Sequence, residues 1–90
     1  MINMEQIQLT LKRIAEILRT GGNQNWTPAF ESFEQNFPHD PRATCSKIVS
    51  SYGGMGSFND VVLYRNGQPL TAENEELDYL RTKLYGLCRE

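Results

Sequence analysis

Both ends of this 90-residue chain carry the same apolar rhythm. Ile7, Leu11, Ile14 and Leu18 near the start, and Leu77, Leu80, Leu84 and Leu87 near the end, recur in alternating steps of three and four. That spacing lines side chains along one stripe of an α-helix. Neither stripe is stable in water, and a chain this short builds only one thin core. The terminal helices are therefore expected to pack together, with the middle of the chain folded against the same core. Leu9, Ala15 and Ile17 are expected to widen the first stripe. The spacing also suits a helix pair between two copies, so the chain is read as a monomer or a homodimer. About two heptads per helix is short for a coiled coil, which favours pairing within one chain.

Proline and glycine divide what lies between. Gly21 and Gly22 supply a left-handed stop, with Arg19 at the negative end of the helix dipole. Thr27-Pro28 and Asp40-Pro41 each read as a capping residue followed by proline at the first helical position. Between them Trp26, Phe30, Phe33 and Phe37 form an aromatic face that Pro38 terminates, and Cys45, Ile48, Val49 and Tyr52 give the third helix its buried side. Val61 to Tyr64 favour a strand, Asn66-Gly67 favours a tight turn, and Pro69 confines the returning arm to a short edge strand. Thr71 is placed to cap the last helix. Glu73, Glu75 and Glu76 complement its dipole, and Arg81, Lys83 and Arg89 lie toward its other end.

The expectation is a mainly α fold, one compact four-helix domain over residues 1–90. Its helices fall near 3–20, 27–37, 41–52 and 72–88, with one short β-hairpin between helices three and four. The expected core is Ile7, Leu11, Ile14, Leu18, Phe30, Phe33, Ile48, Val49, Leu77, Leu80 and Leu84.

The net charge of −2 comes from scattered residues with no basic stripe, which argues against nucleic acid as a partner. No stretch approaches the roughly 18 consecutive apolar residues of a membrane span, and the opening Asn3, Glu5 and Gln6 are unlike a signal peptide. A cytoplasmic protein with no membrane partner is expected. Cys45 and Cys88 lack the paired spacing of a zinc or redox motif and read as reduced, packed thiols, with a disulfide between them left open.

The segment richest in unusual residues is Gly53-Gly54-Met55-Gly56-Ser57-Phe58-Asn59-Asp60. A phosphate cradle runs from strand through glycines into helix, whereas this loop runs from helix into strand and lacks the following lysine and hydroxyl. The plain structural reading has Gly53 or Gly54 ending helix three and Gly56 permitting a reversal, with Met55 and Phe58 plugged into the core. His39, the single histidine, sits between Pro38 and Asp40 in a turn and reads as solvent-exposed. Ser57 and the cysteines stand in no nucleophile motif. Glu73, Glu75, Glu76 and Asp78 read as solvated and dipole-complementing. No catalytic residue, metal or cofactor is therefore assigned.

Residues Ser51 to Leu63, with their Gly-Gly-Met-Gly-Ser-Phe-Asn-Asp core, resemble the signature of a family of small bacterial proteins in which a helix leads through such a loop into an apolar strand. That family implies no activity. A looser resemblance, of style, is to the compact acidic immunity proteins that bacteria pair with toxins. The leading expectation is a non-enzymatic protein-binding module, in its finer form an immunity or antitoxin-like protein with a toxin as partner. Its expected binding residues are Gly53, Gly54, Met55, Gly56, Ser57, Phe58, Asn59 and Asp60, together with the adjacent hairpin. The alternatives are a small-ligand binder or enzyme with a pocket lined by Met55, Ser57, Asn59 and Asp60, and a structural or oligomerisation role. A pocket at the loop favours the first alternative, and a flat exposed patch at the hairpin favours the binding module.

Overall fold

The computed structural model describes residues 3–53 and 56–89. Four α-helices lie among them: α1 (Met4–Thr20), α2 (Thr27–Asn36), α3 (Pro41–Ser50) and α4 (Thr71–Cys88). Between α3 and α4 come a 3₁₀ turn at Phe58–Asp60 and a two-stranded antiparallel hairpin, β1 (Tyr64–Arg65) and β2 (Gln68–Pro69). The expected architecture holds. α1 packs against α2 and α4, and α3 packs against α4 and α2.

Local chemistry explains most of the boundaries. Asn3 starts α1 by accepting the Gln6 amide on its side chain, and Asp40 starts α3 by accepting that of Ala43. At the end of α1 Gly22 adopts a φ of +66°, which lets the Asn23 amide return to the Leu18 carbonyl. Gly21 meets a different demand. A Cβ there would stand 2.7 Å from Leu63 Cδ2, so the missing side chain is what lets the segment before the hairpin approach α1. In the hairpin Asn66 (φ 53°) and Gly67 (φ 77°) both take positive φ, and Tyr64 pairs with Pro69 and Arg65 with Gln68.

Two capping expectations are corrected. Thr27 lies inside α2 and donates its hydroxyl to the Asn23 carbonyl; the side chain that accepts a free amide is Asn23, from Trp26. Thr71 likewise makes no capping bond at the start of α4.

Ile7, Leu11, Ile14, Leu18, Phe30, Ile48, Leu77, Leu80 and Leu84 are buried as expected. Phe33 stands half-buried at the edge of the core and Val49 is half-buried along the groove beside α4, while Phe37, Phe58 and Leu63 take central places. The reason for the first exchange is angular. Phe30 and Phe37, the latter the residue that closes α2, are two turns apart on one face, and Phe33 falls to the side with its ring edge-on to Phe30 at 5.1 Å. Leu9 is 56% exposed, because two residues from Ile7 is the opposite side of a helix. Among the described residues no helix is long and apolar enough to cross a membrane.

Candidate functional site

The glycine loop begins where α3 runs out of hydrogen-bond partners. The Ser51 amide bonds back to Lys47 and Ile48, and its hydroxyl donates to the Ile48 carbonyl at 2.6 Å. The chain then returns, so that the Phe58 amide donates to the Ser51 carbonyl at 2.9 Å and the two ends of the loop are joined. The Tyr52 carbonyl accepts from both the Ser57 hydroxyl (3.3 Å) and the Asn59 amide nitrogen (2.9 Å). Gly56, at φ +73°, directs its N–H to the Asp60 carboxylate at 2.7 Å. A side chain at that φ would be strained, so glycine here is a geometric need.

Each expected binding residue therefore has a definite place. Ser57 is buried against the Tyr52 carbonyl, and Phe58 is wholly buried, packed on Phe30 at 4.4 Å, Trp26 at 5.4 Å and Tyr52 at 5.5 Å. Gly53, Gly56, Asn59 and Asp60 face solvent, with Asn59 and Asp60 each making a hydrogen bond inside the loop. Gly54 and Met55 lie outside the described residues. A groove of about 320 Å³ runs alongside, lined by Val49, Tyr52, Gly53, Asn59, Thr82 and Tyr85. Of the four side chains expected to line a pocket, it includes Asn59 and omits Ser57 and Asp60.

The residue that organises this region is Arg81. Its side chain is only 11% exposed, and Nη1 donates to the carbonyls of Phe58 (2.9 Å) and Val61 (3.1 Å) while Nη2 donates to Asp78 (3.0 Å). The guanidinium also lies 5.6 Å from the centre of the Phe58 ring. The Arg81 carbonyl in turn accepts the Tyr52 hydroxyl at 2.7 Å. Burial pushes the Tyr52 phenol pKa above its ordinary value, which keeps it a neutral donor. Two turns of α4 earlier, Asn74 does the same for the next segment: the Leu63 N–H donates to Asn74 Oδ1 at 2.7 Å and Asn74 Nδ2 donates to the Leu63 carbonyl at 3.0 Å. The side chain thus stands where a neighbouring strand would.

This bracing fixes a face that looks outward. Along residues 61–64 the side chains alternate, with Val61 and Leu63 buried and Val62 and Tyr64 turned out at 50% and 54% exposure. Beside them a shallow depression of about 380 Å³ is lined in part by Val62, Pro69, Glu75 and Asp78. The acidic residues of α4 divide their roles here: Glu76 forms a bidentate pair with Arg13 at 2.6 and 2.8 Å, Asp78 pairs with Arg81, and Glu75 stays exposed. The Arg13 hydrogen bonds hold the Glu76 carboxyl below the usual carboxylate range. Among the described residues no cluster of three or more histidine, cysteine or acidic side chains converges as a metal site. His39 lies exposed in the turn between α2 and α3.

The fold and this site define a small helical domain in which a self-closed glycine loop and a hairpin are held against the last helix. Residues 19–71 match the family described as domain of unknown function DUF6966, and since that is more than half of the 90 residues, the chain belongs to this family. The matched span takes in α2, α3, the glycine loop and the hairpin, and stops as α4 begins. No curated protein and no solved structure matches the chain.

Proposed function

We propose that the chain is a non-enzymatic protein-binding module that offers the hairpin face and the adjoining glycine loop to a protein partner. The observation that carries this reading is the paired presentation of Val62 and Tyr64. Both are about half exposed on one side of a segment whose backbone is tied down by Arg81 and Asn74. Apolar and aromatic side chains held in place before binding lose little freedom when a partner covers them, and that is what makes a surface group effective in recognition. The loop contributes shape and the open surface at Gly53 and Gly56. Asn59 and Asp60, which already bond within the loop, serve first to hold it.

The finer form of the reading is an immunity or antitoxin-like protein with a toxin as its partner. Its support is the small size, the net charge of −2 and the acidic rim that the exposed Glu75 gives the depression beside Val62, where Asp78 is paired with Arg81. A basic protein surface is the complement of that rim.

A photo-crosslinking residue placed at position 64 in growing cells tests the general reading, with position 12, where Lys12 is exposed on α1, as the control. One discrete adduct at position 64 and none at position 12 is expected; equal adducts at both, or none at either, contradict it. The finer reading adds a second requirement: expressing the captured protein alone must stop growth, and co-expression of this chain must restore it.

A second reading has one observation in its favour. The groove between α3 and α4 is the size of a small-molecule site and combines Tyr52 and Tyr85 with the polar Asn59 and Thr82. A ligand seated there would perturb the tyrosine fluorescence, and metabolite mixtures that leave it unchanged count against this alternative.

A further inference from the structure

The seam between α3 and α4 is fastened at one end by Tyr52, whose hydroxyl reaches the Arg81 carbonyl and whose ring lies 4.9 Å from that of Tyr85. Seven residues back from Tyr52 is Cys45, and seven residues on from Arg81 is Cys88. Each step is two helical turns, about 10 Å. Tyr52 stands just past the end of α3, and equal steps away from its contact, back along α3 and onward along α4, lead to two thiols that are neighbours of each other. Cys45 is buried and Cys88 is half-buried against the same core, both as free thiols. Burial raises the Cys88 thiol pKa, and the neighbouring Cys45 raises it further.

We propose that Cys45 and Cys88 form a redox-modification site, a dithiol that low-molecular-weight disulfides convert into an internal bond pinning the last turn of α4 to α3. This stands apart from the partner reading. Cys88 reacts first, because Cys45 is shielded. Its thiolate attacks one sulfur of a reagent such as glutathione disulfide, the reagent's S–S bond breaks, and one glutathione thiol departs with a proton. Cys45 then attacks the Cys88 sulfur of this mixed disulfide and expels the second glutathione thiol. The protein loses two electrons and two protons, and the reagent gains both as two thiols. The raised pKa makes the first step slow at neutral pH, whereas the second is intramolecular. The resulting bond closes the glycine loop, the hairpin and α4 into one covalent loop, which restricts the unfolded chain more than the folded one.

The test is to incubate the full chain with excess glutathione disulfide at mildly alkaline pH, then follow intact mass, peptide mapping, chain association and thermal melting. The expected product is lighter by two hydrogens, joins the Cys45 and Cys88 peptides within one chain, and melts at least about 10 °C higher. Dithiothreitol should reverse all three changes. Cys88→Ser should leave Cys45 unmodified in the folded protein. A wild-type protein that stops at a glutathione adduct on Cys88, links two copies, or leaves both thiols free overturns the proposal.

Discussion

Replacing Arg81 by methionine keeps most of the buried stem and removes only the guanidinium, so it isolates what the charged end does. Two backbone carbonyls lose a donor. That of Phe58 keeps the Val61 amide at 3.3 Å, while that of Val61 has no other donor among the described residues. An orphaned buried acceptor costs about 1 to 3 kcal/mol, and the weakened Phe58 carbonyl adds about 1 kcal/mol. Asp78 contributes little to the total, since its side chain is 75% exposed and returns to water. Against these losses stands the relief of no longer desolvating a charge. The net expectation for Arg81→Met is a loss of about 2 to 4 kcal/mol, a large share of the roughly 5 to 9 kcal/mol typical for a chain of this size. Urea denaturation with matched m-values measures it, and Asp78→Asn is the control, expected to cost under about 1 kcal/mol. If Asp78→Asn were as damaging as Arg81→Met, the ion pair and not the carbonyl bonding would be holding the loop. A loss under about 0.5 kcal/mol for Arg81→Met would refute the account of Arg81 outright.

Leu80→Ala removes buried methyl groups from the face α4 turns to the thin core and should cost about 2 to 5 kcal/mol in the same assay. Asn74→Ala leaves the Leu63 amide without its 2.7 Å acceptor and should cost about 1 to 3 kcal/mol, with faster hydrogen exchange at Leu63 as its local signature. The Arg13–Glu76 pair gives a pH-dependent prediction. Because the folded-state pKa of Glu76 is lowered, its stabilisation is complete above the ordinary carboxylate pKa and disappears as pH falls through the lowered value. Both side chains are more than a third exposed, so Glu76→Gln should cost only about 0.2 to 1 kcal/mol at neutral pH, and nothing relative to wild type in strong acid.

The architecture was legible because punctuation and periodicity agree: Gly22, Pro28, Pro41 and Asn66-Gly67 each fall where the apolar spacing changes. What escaped was the meaning of polar residues on a buried stripe. Leu70, Asn74, Leu77, Arg81, Leu84 and Cys88 follow one another in steps of four and three, a second register beside the leucine stripe of α4. All six are at least partly buried. Asn74 and Arg81 interrupt it, and these two bond the backbone of the segment between the loop and the hairpin. A charged residue four positions after Leu77 and three before Leu84 is the signal that the sequence held, and reading Arg81 only by its nearness to the helix end passed over it. The outward alternation of Val62 and Tyr64 was hidden for another reason. Four consecutive apolar or aromatic residues, Val61 to Tyr64, do not disclose which pair faces the core until the tertiary bonds of Leu63 fix the register. The loop's polar side chains were equally ambiguous, since turn-forming Asn and Asp suit both recognition and local bonding.

The most direct test of the central claim compares two variants, each assayed by thermal melting and by recovery of the partner crosslinked through position 64. Asn59→Ala with Asp60→Ala removes the bonds to the Tyr52 carbonyl and the Gly56 amide and should lower Tm by about 5 °C or more. Val62→Ser, combined with the crosslinker at position 64, should leave Tm within a few degrees while partner recovery falls at least about tenfold, because Val62 is half exposed in the free protein. Full recovery of the partner by that second variant would contradict the claim that this face does the binding, and a melting temperature unmoved by the first would contradict the claim that Asn59 and Asp60 hold the loop.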